Sequence, residues 1–416
     1  MIDYIKIYFK NNKLTSGLYC SLKKIYHRKD FKITDIAMAY PKREEKEDMR
    51  LTLVLPFFAQ DKVFGGVSSA LKLYEKLASE LGVDKRILIV GPEKYSKKYT
   101  MKLTDYSYND INAKNQVVFM SDYDKIPVGK NEIFVCTAWQ TAYAVFELLR
   151  WQRETYQLPI RKMVYLIQDF EPGFSAWSSE YALAESTYQN TDVQTIGIFN
   201  SKELYDYFEQ KHYPLYQSYY FRPYLNEKLA QCLKNNAEMK IPRKKQILIY
   251  GRQVAQRNAF ELLRYSLELF AKRYSKAGEW SIISLGESFE DVKLTDQLTI
   301  HCNGKASLEE YAQIMSESYA GVSLMISPHP SYPPLEMSTF GVKVITNKFE
   351  NKDLSYFNEN MISLDTCSPE VIAGKLMEIC DQYTEKNTTM LTDNDYVRGK
   401  NEIGEIIAKV AEELRK

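Results

Sequence analysis

Six cysteines in 416 residues, at 20, 136, 232, 302, 367 and 380, include no CxxC pair and no regular spacing. That leaves neither a zinc-ribbon pattern nor the disulfide framework of a small secreted fold, and a reducing, cytoplasmic setting is expected. The four histidines, 27, 212, 301 and 329, are too scattered to suggest a metal site. No apolar run approaches the roughly 18 to 20 residues that span a bilayer, so an integral membrane protein is not expected. Net charge is also nearly absent, with 55 Lys and Arg against 54 Asp and Glu. Without a global basic field, no nucleic-acid partner is expected. No GxGxxG follows a strand and no GxxxxGK[ST] occurs, which removes the best support for a dinucleotide oxidoreductase or a P-loop ATPase.

What is present is enough chain for two or three domains, with the 45% hydrophobic and 26% charged composition of a globular protein. Tyrosine is in surplus, at 32 residues. Its flat apolar face and polar tip suit surfaces that meet sugars, lipid headgroups or protein partners as well as ordinary cores. The balanced total hides a basic end, because residues 1–32 hold eight Lys or Arg against two Asp. Aromatic and aliphatic residues interleave with them, a mixture that can lie on an anionic membrane surface or pack on its own protein. A polar run, Lys42 to Asp48, links this arm to the first clear strand.

From Leu51 onward, short β-rich runs alternate with helical stripes. Strands are expected at Leu51–Leu55, Ile87–Val90, Val117–Met120, Ile133–Cys136, Met163–Ile167 and Ile196–Phe199, several of them continuously apolar as in a parallel sheet buried on both faces. The pattern restarts at Ile247–Tyr250 and continues through Ser281–Leu285, Leu298–Cys302, Val322–Ile326, Val344–Thr346 and Met361–Leu364. The expectation is two doubly wound α/β halves, 50–240 and 241–390, after an arm and linker at 1–49. A final helix in 391–416 is expected to dock back on the first half. Such sheets bind ligands beyond the carboxyl ends of their strands, so the cleft between halves is the expected site.

Two segments of the second half suggest chemistry. Gly251-Arg252 through Arg257-Asn258 puts two guanidinium groups at a turn entering a helix, where arginine forks and backbone N–H groups suit a diphosphate. Ser327-Pro328-His329-Pro330-Ser331-Tyr332-Pro333-Pro334-Leu335-Glu336 follows a strand. Its four prolines stiffen a loop that can aim His329, Ser331 and Tyr332 at a ligand, with Glu336 just inside the next helix as an acceptor for sugar hydroxyls. Gly304-Lys305 is another strand-end loop of that half. In the first half, Gly65-Gly66 opens a helix where bare amides could approach phosphate or sugar, or form a plain turn. Gln168, Asp169 and Glu171 follow the strand Met163–Ile167, where a catalytic or acceptor-binding carboxylate belongs and where a helix cap is the competing reading.

The arginine pair five apart, followed by the proline-rich loop ending in Glu336, resembles the donor half of retaining glycosyltransferases of GT-B architecture. That resemblance implies two Rossmann-like domains facing a cleft, with Arg252 and Arg257 on a nucleotide diphosphate and Glu336 on the ribose. More narrowly, Tyr165–Pro172, Ile249–Arg252, Ser327–Glu336 and Phe349–Leu354 look like the rhamnosyltransferases of bacterial surface polysaccharide assembly, which use dTDP-L-rhamnose. The likeness spans roughly residues 50–390. The common pattern of that clan has two glutamates eight positions apart, but Pro328 stands eight before Glu336, so His329, Ser331 or a backbone amide would meet the donor sugar.

The expected activity is metal-independent transfer of a sugar, from a nucleotide-sugar substrate and with no cofactor, to an oligosaccharide or lipid-linked saccharide acceptor. Arg252 and Arg257 would stabilise the charge that gathers on the departing diphosphate. With retention, the leaving phosphate can take the acceptor's proton; with inversion, Asp169 is the candidate base. A DxD-type metal reading rests on Asp122-Tyr123-Asp124, matched again by Asp393-Asn394-Asp395. A noncatalytic sugar-nucleotide scaffold and a sugar-nucleotide epimerase remain as alternatives.

Overall fold

The computed structural model describes residues 40–45, 47–56, 66–91, 103–390, 392, 394–399 and 402–416. The basic arm, Gly65 and Asp393 lie outside the described residues. The first strands in chain order are β1 (Pro41–Arg43), β2 (Arg50–Leu55), β3 (Asp84–Ile89), β4 (Ser107–Tyr108), β5 (Asn115–Phe119) and β6 (Ile126–Val128). They are followed by β7 (Glu132–Cys136), β8 (Lys162–Ile167), β9 (Gln194–Phe199) and β10 (Gln217–Tyr220). Strand β1 pairs with β6 in a small separate ribbon. The other eight form one parallel sheet in the order β10-β9-β8-β7-β2-β3-β5-β4. Their apolar runs are covered on both faces, as a continuous Leu/Ile/Val pattern requires.

The second half repeats the plan. Its strands are β11 (Lys244–Gly251), β12 (Ser281–Gly286), β13 (Val292–Lys293), β14 (Thr299–Gly304), β15 (Ser318–Val322), β16 (Lys343–Asn347) and β17 (Met361–Leu364), ordered β13-β14-β12-β11-β15-β16-β17. All pairs are parallel except the edge pair β13/β14. In each sheet the first long strand, β2 or β11, sits centrally with later strands wound out on both sides. This arrangement leaves a topological switch point beside it.

Three boundaries differ from the sequence expectation. Strand β15 stops at Val322 rather than running to Ile326, because side chains replace the ladder. Asn347 accepts from the Met325 N–H (2.7 Å) and donates to its carbonyl (3.0 Å), while Asn258 donates to Leu324 O (3.2 Å). The helix bearing Glu336 spans Tyr332–Thr339, so Pro333 and Pro334 occupy its first turn, where their missing N–H groups cost nothing, and Glu336 falls mid-helix. The joint near Asn226–Arg243 contains a helix, Glu227–Glu238, whose Leu229 and Leu233 join Leu225 in the core of the second half. The break between halves therefore precedes Leu225.

The last helix, Ile403–Arg415, carries Ile406, Ile407, Val410, Ala411 and Leu414 on one face, and that face packs into the first half's core beside the helix Gly66–Leu81. Lys162 and Arg415 fix its end through the carbonyls of Glu413 and Glu80, each at 2.5 Å. Among the described residues no helix is long and apolar enough to cross a membrane.

Much of the tyrosine surplus is internal. Tyr165, Tyr188, Tyr207 and Tyr213 interlock with Phe170, Phe199 and Phe208 through edge-on and tilted contacts in the first half. Aromatic pairs of this kind each add roughly 0.5–1.5 kcal/mol beyond burial. The cluster lies under the loop that leaves β8, and so it supports the candidate site.

Candidate functional site

Because neighbouring strands are parallel, each half gathers its strand-end loops on one edge, and the two edges meet. Asp169 follows β8 and its side chain is fully engaged. Its Oδ2 lies 3.0 Å from Arg257 Nε in the other half, while Oδ1 accepts from the Ser327 hydroxyl and from the Phe170 N–H (2.9 Å). Phe170 is buried in the aromatic cluster, in contact with Tyr181, Tyr188, Tyr207 and Phe208. The position of Asp169 is thus fixed from below, and Asp169 in turn ties the loops after β11 and β15 to the first half. Sequence reasoning offered Asp169 as base or acceptor ligand. In the structure Oδ1 takes both hydrogen bonds and Oδ2 is held only by its ion pair with Arg257, the geometry of a positioning residue.

Arg257 lies in a short 3-10 turn, Gln256–Asn258, with a quarter of its side chain exposed and its guanidinium 4.2 Å from the Phe174 ring centre. Arg252 is half-buried at the end of β11 and has no ion-pair or hydrogen-bond partner among the described residues. A cation with no protein partner at a switch point is available to a ligand. The preceding residue must be Gly251, since a Cβ there would collide with Ser284 Oγ. Gly304 turns the chain out of β14 with φ 64°, and the following Lys305 is exposed on the same edge.

The loop after β15 is held tightly. His329 is buried; its Nδ1 accepts the Ser331 N–H (3.0 Å), its backbone N–H donates to Ser327 Oγ (3.1 Å), and Nε2 has no partner among the described residues. Accepting at Nδ1 places the neutral ring's proton on Nε2. Burial lowers the pKa of the ring and keeps it neutral. The result is a buried N–H donor with no acceptor among the described residues. Ser331 sits at φ 68°, a strained conformation for a side-chain-bearing residue, of a kind that concentrates at functional sites. Tyr332 packs edge-on against His329, and its hydroxyl accepts from Asn200 of the first half (3.3 Å). Burial pushes the Glu336 carboxyl up to about 7, against the pull of the adjacent Tyr311 hydroxyl.

Among the expected acceptor residues, Gln168 lies with its carboxamide against Gly66 at the start of the helix Gly66–Leu81. Glu171 has a structural post. It is buried, and its Oε2 accepts the N–H of Trp139 at 2.5 Å, capping the helix Trp139–Tyr156 that precedes it in the chain. This corrects its assignment to the acceptor. Burial raises its pKa to about 8, opposed by the Trp139 N–H. A carboxyl whose folded pKa exceeds its ordinary 4.5 favours the fold when neutral, and that contribution fades as pH rises from 4.5 through about 8. A Glu171→Gln variant keeps the accepting oxygen without titrating. Wild-type stability measured against this variant by urea unfolding is expected to decline across that window, and parallel pH profiles would contradict the assignment.

Sequence reasoning missed Lys352. It is fully buried in the loop after β16 and donates to Met325 O at 2.5 Å, and burial brings its pKa down to about 7 despite the neighbouring Asp169. The signal was a segment that matched by resemblance, Phe349–Leu354, in which no residue was assigned a role. Two further contacts close this side of the cleft: Asn351 donates to Glu203 O (2.8 Å) and the Tyr356 hydroxyl to the Glu203 carboxylate. Asp122, of the DxD pair, follows β5 near the far edge of the first sheet, three strands from β7, and accepts from Asn109 (2.6 Å). Among the described residues no group of three or more His, Cys, Asp or Glu is placed to hold a metal. A cavity of about 600 Å³ lined by Arg150, Arg153 and Arg161 lies at the amino ends of β8 and β9, away from these loops.

Comparison with known proteins agrees with this architecture. Residues 50–202 match the N-terminal domain of WsaF and residues 245–377 match its C-terminal domain, well over half of the chain between them. The O-antigen biosynthesis protein RfbC of Myxococcus xanthus is 28% identical over 243 residues, covering 58% of this chain and 18% of that protein. The chain thus spans less than a fifth of that relative. Sucrose-phosphate synthase from Thermosynechococcus elongatus superposes with a TM-score of 0.52 at 11% identity, over 88% of this chain and 94% of its own. The apo structure of OtsA gives 0.52 at 8% identity, over 88% and 99%. At such identities these likenesses show the fold, which is GT-B: two Rossmann-like halves around a cleft.

Proposed function

We propose that this chain, a GT-B glycosyltransferase that belongs to the WsaF family, transfers L-rhamnose from dTDP-L-rhamnose to a growing surface polysaccharide or its lipid-linked precursor. The observation that carries the reading is the set of residues on the second sheet's strand-end loops and the helix that follows: Arg252 and His329 Nε2, without a partner among the described residues, Arg257 tied to Asp169, and the half-buried Glu336 with its raised pKa. The choice of rhamnose is supported by the sequence resemblance, and the choice of a surface polysaccharide by the O-antigen role in the name of the Myxococcus relative.

As the bond from anomeric carbon to phosphate breaks, negative charge gathers on the diphosphate and the sugar gains oxocarbenium character. Arg252 and Arg257 stand where fixed positive charge opposes that build-up, without reorganisation at the moment of reaction. Glu336 orients the ribose, and His329 donates to a donor oxygen from a dry pocket. Metal-independence belongs to the same proposal, with the two guanidinium groups serving as counter-charge. So do a cytoplasmic setting and membrane contact by the basic segment 1–32, on the strength of cysteine usage and charge.

A panel of nucleotide sugars tests the donor assignment through ligand-induced thermal stabilisation, since binding to the folded state raises apparent stability by mass action. dTDP-L-rhamnose is expected to give the largest shift, undiminished by EDTA. A response to UDP- or GDP-sugars but not to dTDP-rhamnose would overturn the donor.

A further inference from the structure

We infer that Trp177 and Tyr181, continued by Phe174, form a stacking platform for the saccharide acceptor at the rim of the cleft, an inference that rests on the glycosyltransferase reading above. Trp177 is 92% exposed, the most exposed large hydrophobic side chain among the described residues. It is not loose: its ring stacks on Tyr181 with centroids 5.8 Å apart and planes within 16°. Its backbone is held at φ 54°, a left-handed conformation that a bulky aromatic adopts only when its surroundings impose it. Those surroundings are visible in the next residues. Ser178 caps the helix Ser179–Tyr188 by accepting the Tyr181 N–H (3.1 Å) and donates to Ser175 O (2.5 Å), while Ser175 donates to Glu180 (2.5 Å).

A residue just before a helix cap can serve as a hydrophobic staple, but a staple works by burying its side chain. Trp177 keeps nearly all of its surface in water, so the capping contacts that set its backbone do not account for the exposure and stacking of its ring. Position does account for them. The loop that ends at Trp177 begins at Asp169, and midway along it Phe174, 40% exposed, lies under the guanidinium of Arg257. Three residues of chain reach at most about 10 Å, so Trp177 lies within that distance of Phe174 and a few sugar units from the donor site at most. Flat π faces attract the polarised C–H bonds on one side of a pyranose ring, and a 6-deoxy sugar adds a methyl group to that apolar side. The occupant that fits is the non-reducing end of a saccharide chain, its terminal hydroxyl directed inward.

The test uses the full chain, wild type and Trp177→Ala, Trp177→Phe and Trp177→Tyr, with rhamno-oligosaccharides of increasing length as acceptor probes. Of the four tryptophans, Trp139 and Trp280 are buried and Trp151 is half-buried, so the part of the fluorescence quenching by saccharide that Trp177→Phe removes reports on Trp177. Trp177→Ala is expected to raise the acceptor KM about tenfold or more with little change in kcat. Phe and Tyr should restore most of the affinity, and donor-induced thermal stabilisation should be unchanged. An unchanged acceptor KM in Trp177→Ala, or wild-type protein that binds dTDP-rhamnose yet shows no quenching with any oligosaccharide, would overturn the platform and leave the donor reading standing. Intact quenching without any nucleotide-sugar response would fail the donor reading instead.

Discussion

Replacing Arg252 with alanine is expected to lower sugar transfer by on the order of 10³-fold, at the upper end of what removal of one preorganised charge stabiliser costs. The expectation comes from the contrast with its neighbour. Arg252 has no protein partner among the described residues, so nothing in the fold depends on its charge, whereas Arg257 is bound to Asp169. The thermal midpoint of Arg252→Ala should therefore stay at the wild-type value while turnover collapses. Arg252→Lys keeps a point charge but loses the planar fork, and should recover only part of the loss. The measurements are initial rates at saturating acceptor alongside thermal unfolding. Near-normal turnover would remove Arg252 from the donor site, and a parallel fall in melting temperature would show that the side chain supports the fold instead.

The place of Arg252, just past the end of a strand, was legible in the sequence because a Gly-Arg turn leaving a strand is a local pattern, and local patterns survive without coordinates. The core strands were legible for the same reason: a continuous run such as Leu51–Leu55 or Met163–Ile167 has few places to go except a sheet covered on both faces. What failed to show was long-range. The expected strand Val322–Ile326 breaks because Asn347, from the next strand, supplies hydrogen bonds that a ladder would otherwise supply. Lys352 reads as one charge in a polar stretch, Glu350 to Asp353, and only tertiary packing removes it from water. Glu171 looked like a strand-end carboxylate, but a helix amino terminus at Trp139 reaches it first. The tyrosine surplus suited a surface or an ordinary core alike. Tyr74, Tyr106, Tyr165, Tyr188 and Tyr207 are buried in the first core, where the Tyr74 hydroxyl meets the carbonyls of Leu51 (3.0 Å) and Arg86 (2.9 Å).

The pairing of Asp169 with Arg257 is the least legible of these features and the most consequential, because it decides between two roles for the carboxylate. If Asp169 positions Arg257, removing either member disables the same unit, and the losses do not add. We expect Asp169→Ala to lower kcat by about 10²-fold and Arg257→Ala by about 10³-fold, with the double variant no slower than Arg257→Ala alone. If Asp169 were instead a base acting directly on the acceptor, its loss would multiply that of Arg257, and the double variant would fall by about 10⁵-fold. Stability separates the two further. Arg257→Ala leaves a nearly buried carboxylate without its counter-charge and should lower stability by roughly 1–3 kcal/mol, a loss that adding Asp169→Asn, whose carboxamide oxygen can still accept from Ser327 and the Phe170 N–H, should largely reverse. The Ser327 hydroxyl and the Phe170 N–H remain on Oδ1 in Arg257→Ala, so the loop after β15 stays tied to the first half. A rate loss in that variant therefore reports on the guanidinium itself, and the shape of the cycle reports on how it is held.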